Sequence, residues 1–415
     1  MTTAVFPDQG IIFWPVGTGD STTIVFDEEC VLQVDLHHMA AADAEGAVCC
    51  PVVDRLLESL PRRDGKPYLA VFALTHADLD HCKGFGDLLD SDVLVGEIWA
   101  TPRLWREYAD EAEMCEDARR FHEEADRRVQ ASLEHLAAWR DVPSGDRVRI
   151  IGYDTDVNDP SHPYSVLPDE QRSFPGDVVT VVDGVDVGHR FEAFIHAPFK
   201  DDCAAARNDT SLAMQVTLRN GETDGRVLLF GDLAYPTLRL IFDRSVEAGN
   251  ADRLQWDVLL APHHCSRKVM YAPDENGEEE MKQDILDDFD ASRQEPAYVV
   301  ASSNPVPATN QPRDNPPHAK AKARYQELGI EQFLCTQEHG SVDAPQPAVF
   351  ALVPGVGLVL QPIEAVESES LGKTMAKLAA AAAGGTGTLI ATQEALKRAR
   401  GTDAAPVKPV GFGGS

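Results

Sequence analysis

The chain has 415 residues, 43% of them hydrophobic, enough for roughly two to three domains or one large elaborated domain with a sizeable core. Its formal net charge of minus 31 repels polyanions at long range and excludes a nonspecific nucleic-acid coat, while still allowing a phosphodiester in a metal-lined cleft. No window reaches the roughly 18 to 20 apolar residues of a membrane span, and the start MTTAVFPDQG has neither a positive nor an apolar region, so a cytoplasmic chain without a membrane partner is expected.

In chain order, IIFWPVGTGDSTTIVF reads as a hairpin around a Gly-rich turn, followed by the strand VLQVDL. Residues 48 to 60 have helical spacing, and YLAVFALT is an apolar run of the length of a strand covered on both faces. Strand, helix, strand implies a layered α/β core. From Leu104 to Leu136 apolar residues recur at helical spacing between Pro102 and Pro143, which predicts a helical insertion over about 103–140. Short strands then return in DRVRIIGY, DVVTVVDG, FEAFIHA, SLAMQVTL, RVLLFGD, WDVLLAPHH, AYVVASS and AVFALV. The expected domain spans 1–365, and the Ala/Gly-biased stretch 366–415 reads as a flexible low-complexity tail. A protein partner is expected, if anywhere, at the insertion or the tail. The eight cysteines form no C-x-x-C pair, so reduced thiols are expected.

The chemistry concentrates in HADLDH, residues 76–81, directly behind an apolar run. Its two carboxylates repel each other when ionised, and a divalent cation is the simplest compensation. Taken alone, the loop reads equally well as a solvated polar turn. Two further strand ends change the balance, since LLFGD delivers Asp232 and LLAPHHCS delivers His263 and His264. Three strand ends carrying His or Asp point to a convergent metal site.

The set resembles the signature of the metallo-β-lactamase-fold hydrolases, with Asp78 in place of the second His of H-x-H-x-D-H. Within that superfamily the chain looks most like the soluble hydrolase domain of bacterial competence DNA-uptake channels. The elements VGTGDS (16–21), HADLDH (76–81), NDTSL (208–212), FGD (230–232), PHHCS (262–266) and NPPHAKAKARYQELGI (315–330) occur in that domain's order and span most of residues 10–360. The resemblance implies a four-layer αββα sandwich and two divalent metal ions, zinc or manganese with magnesium as an alternative, the first site being the weaker. It implies that His76 and Asp78 serve one ion, Asp80 and His81 the other, that Asp232 bridges them, and that His263 completes the second site with His264 orienting it. Asp80 would also position the attacking water, and His318 would protonate the leaving group.

The pattern is not complete. The usual mid-chain metal His has no clear equivalent; Asn208 stands near its place, and His196 qualifies because it ends a strand. Asp20 and Asp35 read as turn-ordering residues, His37 and His38 as cleft rim, and Cys82 and Cys265 as small buried residues near the metals. The activity implied is a metal-dependent phosphodiesterase or nuclease. The alternatives are a lactone, amide or thioester hydrolase of the same fold, and a non-catalytic metal-binding scaffold.

Overall fold

In the computed structural model of the protein, the described residues are 6–39, 42, 48–106, 114–152, 162–199, 207–311 and 313–363. The expected tail, 366–415, lies outside them.

The apolar runs of the sequence become strands of two mixed sheets. The first, ten-stranded, runs in the order Gly357–Leu360, Ala348–Val353, Gly10–Phe13, Thr22–Val25, Val31–Val34, Lys66–Ala73, Leu94–Ala100, Arg147–Ile151 and Arg172–Ser173, with Arg62–Arg63 paired beside it. Its first five strands are antiparallel, and pairing becomes parallel from Val31–Val34 onward. The second, seven-stranded, runs Gln332–Cys335, Arg293–Ala301, Trp256–Leu260, Thr223–Leu229, Ala213–Asn220, Phe191–Ala197 and Val178–Val179, parallel over its first four strands.

The two sheets face each other across an apolar layer that includes Phe13, Ile24, Val71, Ile195, Met214, Val258 and Phe350. Helices cover both outer faces. Val52–Ser59, Phe85–Asp90 and Glu116–Ala137 pack on the first sheet, and Tyr235–Glu247, Gln283–Ser292 and Ala319–Glu327 on the second. The layer order is therefore αββα, as expected.

Of the expected insertion, about 103–140, residues 107–113 lie outside the described residues, and its long helix Glu116–Ala137 packs in the outer layer. Glu116–Ala137 turns Ala118, Phe121, Ala125 and Val129 inward at helical spacing, and Phe121 packs on Phe72 and Phe85 with ring centroids 5.9 and 4.9 Å away. Arg128 is buried on the same face, its guanidinium donating to the carbonyls of Val95, Gly96 and Arg147. The helix starts at Cys115, whose sulfur accepts the Ala118 N–H, with Glu116 and Asp117 favourably placed in the positive first turn.

Parallel strands from both sheets end on the same edge of the sandwich. Val31–Val34 leads to Asp35, Lys66–Ala73 to Thr75 and His76, Thr223–Leu229 to Asp232, and Trp256–Leu260 to His263 and His264. In layered α/β folds this carboxyl edge is where binding residues collect, because the loops leaving it are free of ladder pairing.

Candidate metal centre

Asp232 organises the site. It follows Gly231, which takes φ 51° and so close an approach that a Cβ there would lie 2.8 Å from Ser211 Cβ. The Asp232 N–H donates to Ser211 Oγ, and its two carboxylate oxygens face different groups. Oδ1 lies 3.2 Å from His81 Nε2 and 3.3 Å from His264 Nε2. Oδ2 lies 3.6 Å from His263 Nε2 and 3.9 Å from His76 Nε2, and accepts from Asn208 Nδ2 at 3.2 Å. Asp78 joins the second group 3.7 Å from His76, and Asp80 joins the first 3.4 Å from His264.

The ring nitrogens are oriented from behind. Asp35 Oδ2 sits 2.7 Å from His81 Nδ1 and accepts its proton, which leaves the His81 Nε2 lone pair facing the cluster. Thr75 Oγ1 donates to the same Asp35 oxygen and is therefore an acceptor for His76 Nδ1–H at 3.1 Å, so Nε2 of His76 also presents a lone pair. His264 Nδ1 donates to the Ser302 carbonyl at 3.2 Å, with Asp20 at 3.4 Å. His81 Nε2 and His264 Nε2 then stand 3.2 Å apart, two lone pairs pointing at each other beside two carboxylates.

That arrangement is repulsive unless positive charge lies among the donors. His76 Nε2 and Asp232 Oδ1 are buried without a hydrogen-bond partner among the described residues, and one donor atom each from Asp20, His81, Asp232 and His264 fall within 4.8 Å of one another. Imidazole nitrogens and carboxylate oxygens of this kind suit zinc or manganese. The residues present therefore fit a divalent cation at the tighter group, and the looser group of His76, Asp78, His263 and Asp232 Oδ2 fits a second.

Charge states agree with ligand duty. Burial, reinforced by the charge on His81, pushes the His76 pKa down to about 3, so its ring is neutral. Burial favours a neutral Asp232, but His264 and His81 outweigh it and hold the carboxylate well below its ordinary pKa. Asp80 is likewise lowered, burial again opposing and His264 and His81 prevailing. Burial opposes charge on His81 and His264, but Asp232 and Asp35 for the first, and Asp232, Asp20 and Asp80 for the second, overcome it and raise the pKa well above the ordinary value, so without a cation these rings compete for protons.

Several expected placements differ. His264 rather than His263 reaches the group holding Asp80 and His81, while His263 faces the other oxygen of Asp232. The cause is local: His263, His264 and Cys265 all take left-handed backbone, at φ 52°, 54° and 65°, and this turn swings consecutive rings to different sides. Cys265 thus stands where glycine is the unstrained choice, and its thiol points away into the outer core. Cys82 does the same on the first sheet, so neither thiol reaches the cluster.

His196 is not brought in. Phe191, Ala193 and Ile195 face the inter-sheet core, so His196 falls on the opposite face, its Nε2 donating to the Arg253 carbonyl and its Nδ1 beside Ser245 Oγ. Asn208 does reach the site, through Asp232. His318 caps Ala319–Glu327 and spends both ring nitrogens on its surroundings, Nε2 donating to the Asp314 carbonyl and Nδ1 accepting the Arg267 N–H. The proton-donor role expected for it has no free nitrogen to act through. Asp20 is the residue missed: its N–H donates to the Asp80 carbonyl, its side chain is buried, and it enters the cluster. His37 lies over Gly19, where a Cβ would fall 2.2 Å from its Nδ1, and burial lowers its pKa to about 4.

No family model matches the chain, and no curated protein matches it. Solved metallo-β-lactamases are similar to it. Rm3 metallo-β-lactamase is 13% identical with a TM-score of 0.32, over 62% of this chain and 79% of that one. The class B3 di-zinc enzyme LRA-12 from an Alaskan soil metagenome is 11% identical with a TM-score of 0.30, over 69% and 90%. BJP-1, a subclass B3 enzyme of Bradyrhizobium japonicum, is 17% identical with a TM-score of 0.28, over 62% and 78%. The reading of the site rests on its own geometry.

Proposed function

We propose that the protein is a metal-dependent hydrolase whose substrate is a phosphodiester of a nucleic acid or nucleotide. The observation that carries this is Asp232, whose two oxygens are shared between two separate His and Asp groups, the donor arrangement of a two-cation centre. Two bound cations would lower the pKa of a water and polarise the scissile phosphoryl oxygen. His81, His264, Asp80 and Asp20 would hold one cation and His76, Asp78 and His263 the other, Asp232 serving both. The imidazoles suit zinc and the carboxylates suit manganese, with magnesium as an alternative. Burial lowers the His263 pKa against the pull of Asp232, and after His264 the Lys268 ammonium lowers it further, placing a positive charge near the site for an anionic substrate. Asp80, with its side chain 38% exposed, is the cluster carboxylate best placed to meet an incoming water.

The test is metal analysis after dialysis against zinc or manganese, alongside turnover on bis-p-nitrophenyl phosphate, single-stranded DNA, RNA, cyclic nucleotides and lactones. Asp80→Ala is expected to lose phosphodiester turnover and metal without unfolding. Turnover of lactones alone would transfer the reading to carboxylic ester chemistry on the same centre. Full metal content with unchanged turnover in Asp80→Ala would overturn it.

A further inference from the structure

Cys82 and Cys115 meet sulfur to sulfur at 3.5 Å, although 33 positions separate them in the chain. Cys82 is fully buried beside Phe85 and Phe121 and is peptide-bonded to His81. Cys115 is half-buried at the start of Glu116–Ala137, where its sulfur also faces the Ala118 N–H at 3.4 Å. The two segments are already joined, because Asp117 Oδ2 and Oδ1 accept the Gly84 and Gly86 N–H groups at 3.2 and 2.7 Å. A disulfide needs its sulfurs about 2.05 Å apart, so an approach of roughly 1.5 Å closes the bond.

We propose that Cys82 and Cys115 form a reversible thiol–disulfide site, oxidised by a hydroperoxide, that tethers the segment carrying Asp80 and His81 to the first turn of Glu116–Ala137. Cys115 is the attacking thiol because it is the accessible member. The hydrogen bond the two thiols share, opposed by burial and helped by the Ala118 N–H, brings Cys115 down to about 6. The other described cysteines move the opposite way: burial pushes Cys30 up to about 11, Cys50 and Cys265 up to about 12, and raises Cys49 and Cys335. The thiolate is the nucleophile, so Cys115 reacts first.

The steps balance. The Cys115 thiolate attacks one peroxide oxygen, an S–O bond forms as the O–O bond breaks, and the departing hydroxide or alkoxide takes up a proton. Cys115 is then a sulfenic acid. Cys82 attacks that sulfur, the S–S bond forms as the S–O bond breaks, and the leaving hydroxide takes the Cys82 proton to become water. Two thiols lose two electrons in all, and one hydroperoxide gains them.

The experiment treats the full chain, with and without bound zinc, with a small excess of hydrogen peroxide, then alkylates free thiols and maps non-reduced peptides. Expected are the loss of two of the eight thiols, a mass lower by two hydrogens, a peptide pair joined through Cys82 and Cys115, and full reversal by a thiol reductant. Cys115→Ser should abolish the cross-link, and Cys82→Ser should leave Cys115 as a sulfenic acid captured by dimedone. If Cys82→Ser fails to fold, Cys115→Ser and the wild-type map still decide the matter. Both cysteines alkylated after treatment, or Cys115 joined to any other cysteine, would overturn the proposal. These readouts do not depend on the metal centre, so the two readings fail separately.

Discussion

Asp35→Asn tests how much of the metal centre depends on a residue that touches no metal. The native carboxylate accepts three hydrogen bonds, from the Thr75 N–H at Oδ1 and from the Thr75 hydroxyl and His81 Nδ1–H at Oδ2, each 2.7 Å long. Asparagine has nearly the same shape but one acceptor oxygen and one NH2 group. If the oxygen keeps the Thr75 N–H, the NH2 faces His81 Nδ1, which favours the tautomer with its proton on Nε2 and removes the lone pair from the cluster. If the oxygen turns to His81, the NH2 collides with the Thr75 N–H. Either way the His81 ligand is weakened, and loss of such an orienting partner costs about 10- to 100-fold in metal affinity, or about 1.4–2.7 kcal/mol. Competition titration of zinc against a chromophoric chelator measures it, with circular dichroism confirming the fold. A folded Asp35→Asn protein that binds zinc as tightly as wild type would refute the reasoning.

Other outcomes follow from the same geometry. Asp232→Ala removes the residue common to both groups and should abolish binding of both ions, whereas His263→Ala should retain the ion held by His81 and His264; metal stoichiometry separates the two. His318→Ala should affect poor and activated leaving groups alike, because its ring nitrogens are held by the Asp314 carbonyl and the Arg267 N–H, and a selective loss on poor leaving groups would restore it to the chemistry. Phe121→Ala should lower stability by about 3–5 kcal/mol in urea denaturation, as the cost of emptying an aromatic core position. His196 carries a pH dependence: burial lowers its pKa from 6.5 to about 4, so between these values the unfolded chain binds a proton that the native chain does not. Its contribution is complete above pH 6.5 and is lost as pH falls toward about 4, and His196→Gln should flatten the wild-type decline of the urea midpoint in that window.

The layered fold was legible because each buried strand is a short apolar run closed by polar residues, and the helices carry their own spacing. The strand ends also pointed to His76, Asp78, Asp80, His81 and Asp232, which follow apolar runs and which the structure brings to one edge. The exchange between His263 and His264 was hidden: spacing cannot say which of two adjacent rings faces the cluster when the backbone leaves the strand through three left-handed residues. Asp20 was hidden for another reason. It lies in a Gly-rich turn far along the chain from its neighbours, brought to them by the Asp20–Asp80 backbone bond and by the Ser302 hydroxyl on the Gly19 carbonyl. His196 could have been excluded from the sequence by counting alternate residues along FEAFIHA, which sends it to the helical side.

The pairing of Gly10–Phe13 with Ala348–Val353 sets an order of events during synthesis. Ile11 waits for Phe350, so the first sheet stays open along one edge until almost the whole described chain has emerged. The second sheet, whose seven strands all lie between Val178 and Cys335, can be complete by then. Closing so long a loop is slow, and the open strand edge of Gly10–Phe13 is a template for other chains while it waits. A nascent chain ending before Ala348 would therefore carry every cluster residue but lack the two strands that complete the first sheet, and it would be the species most in need of a chaperone.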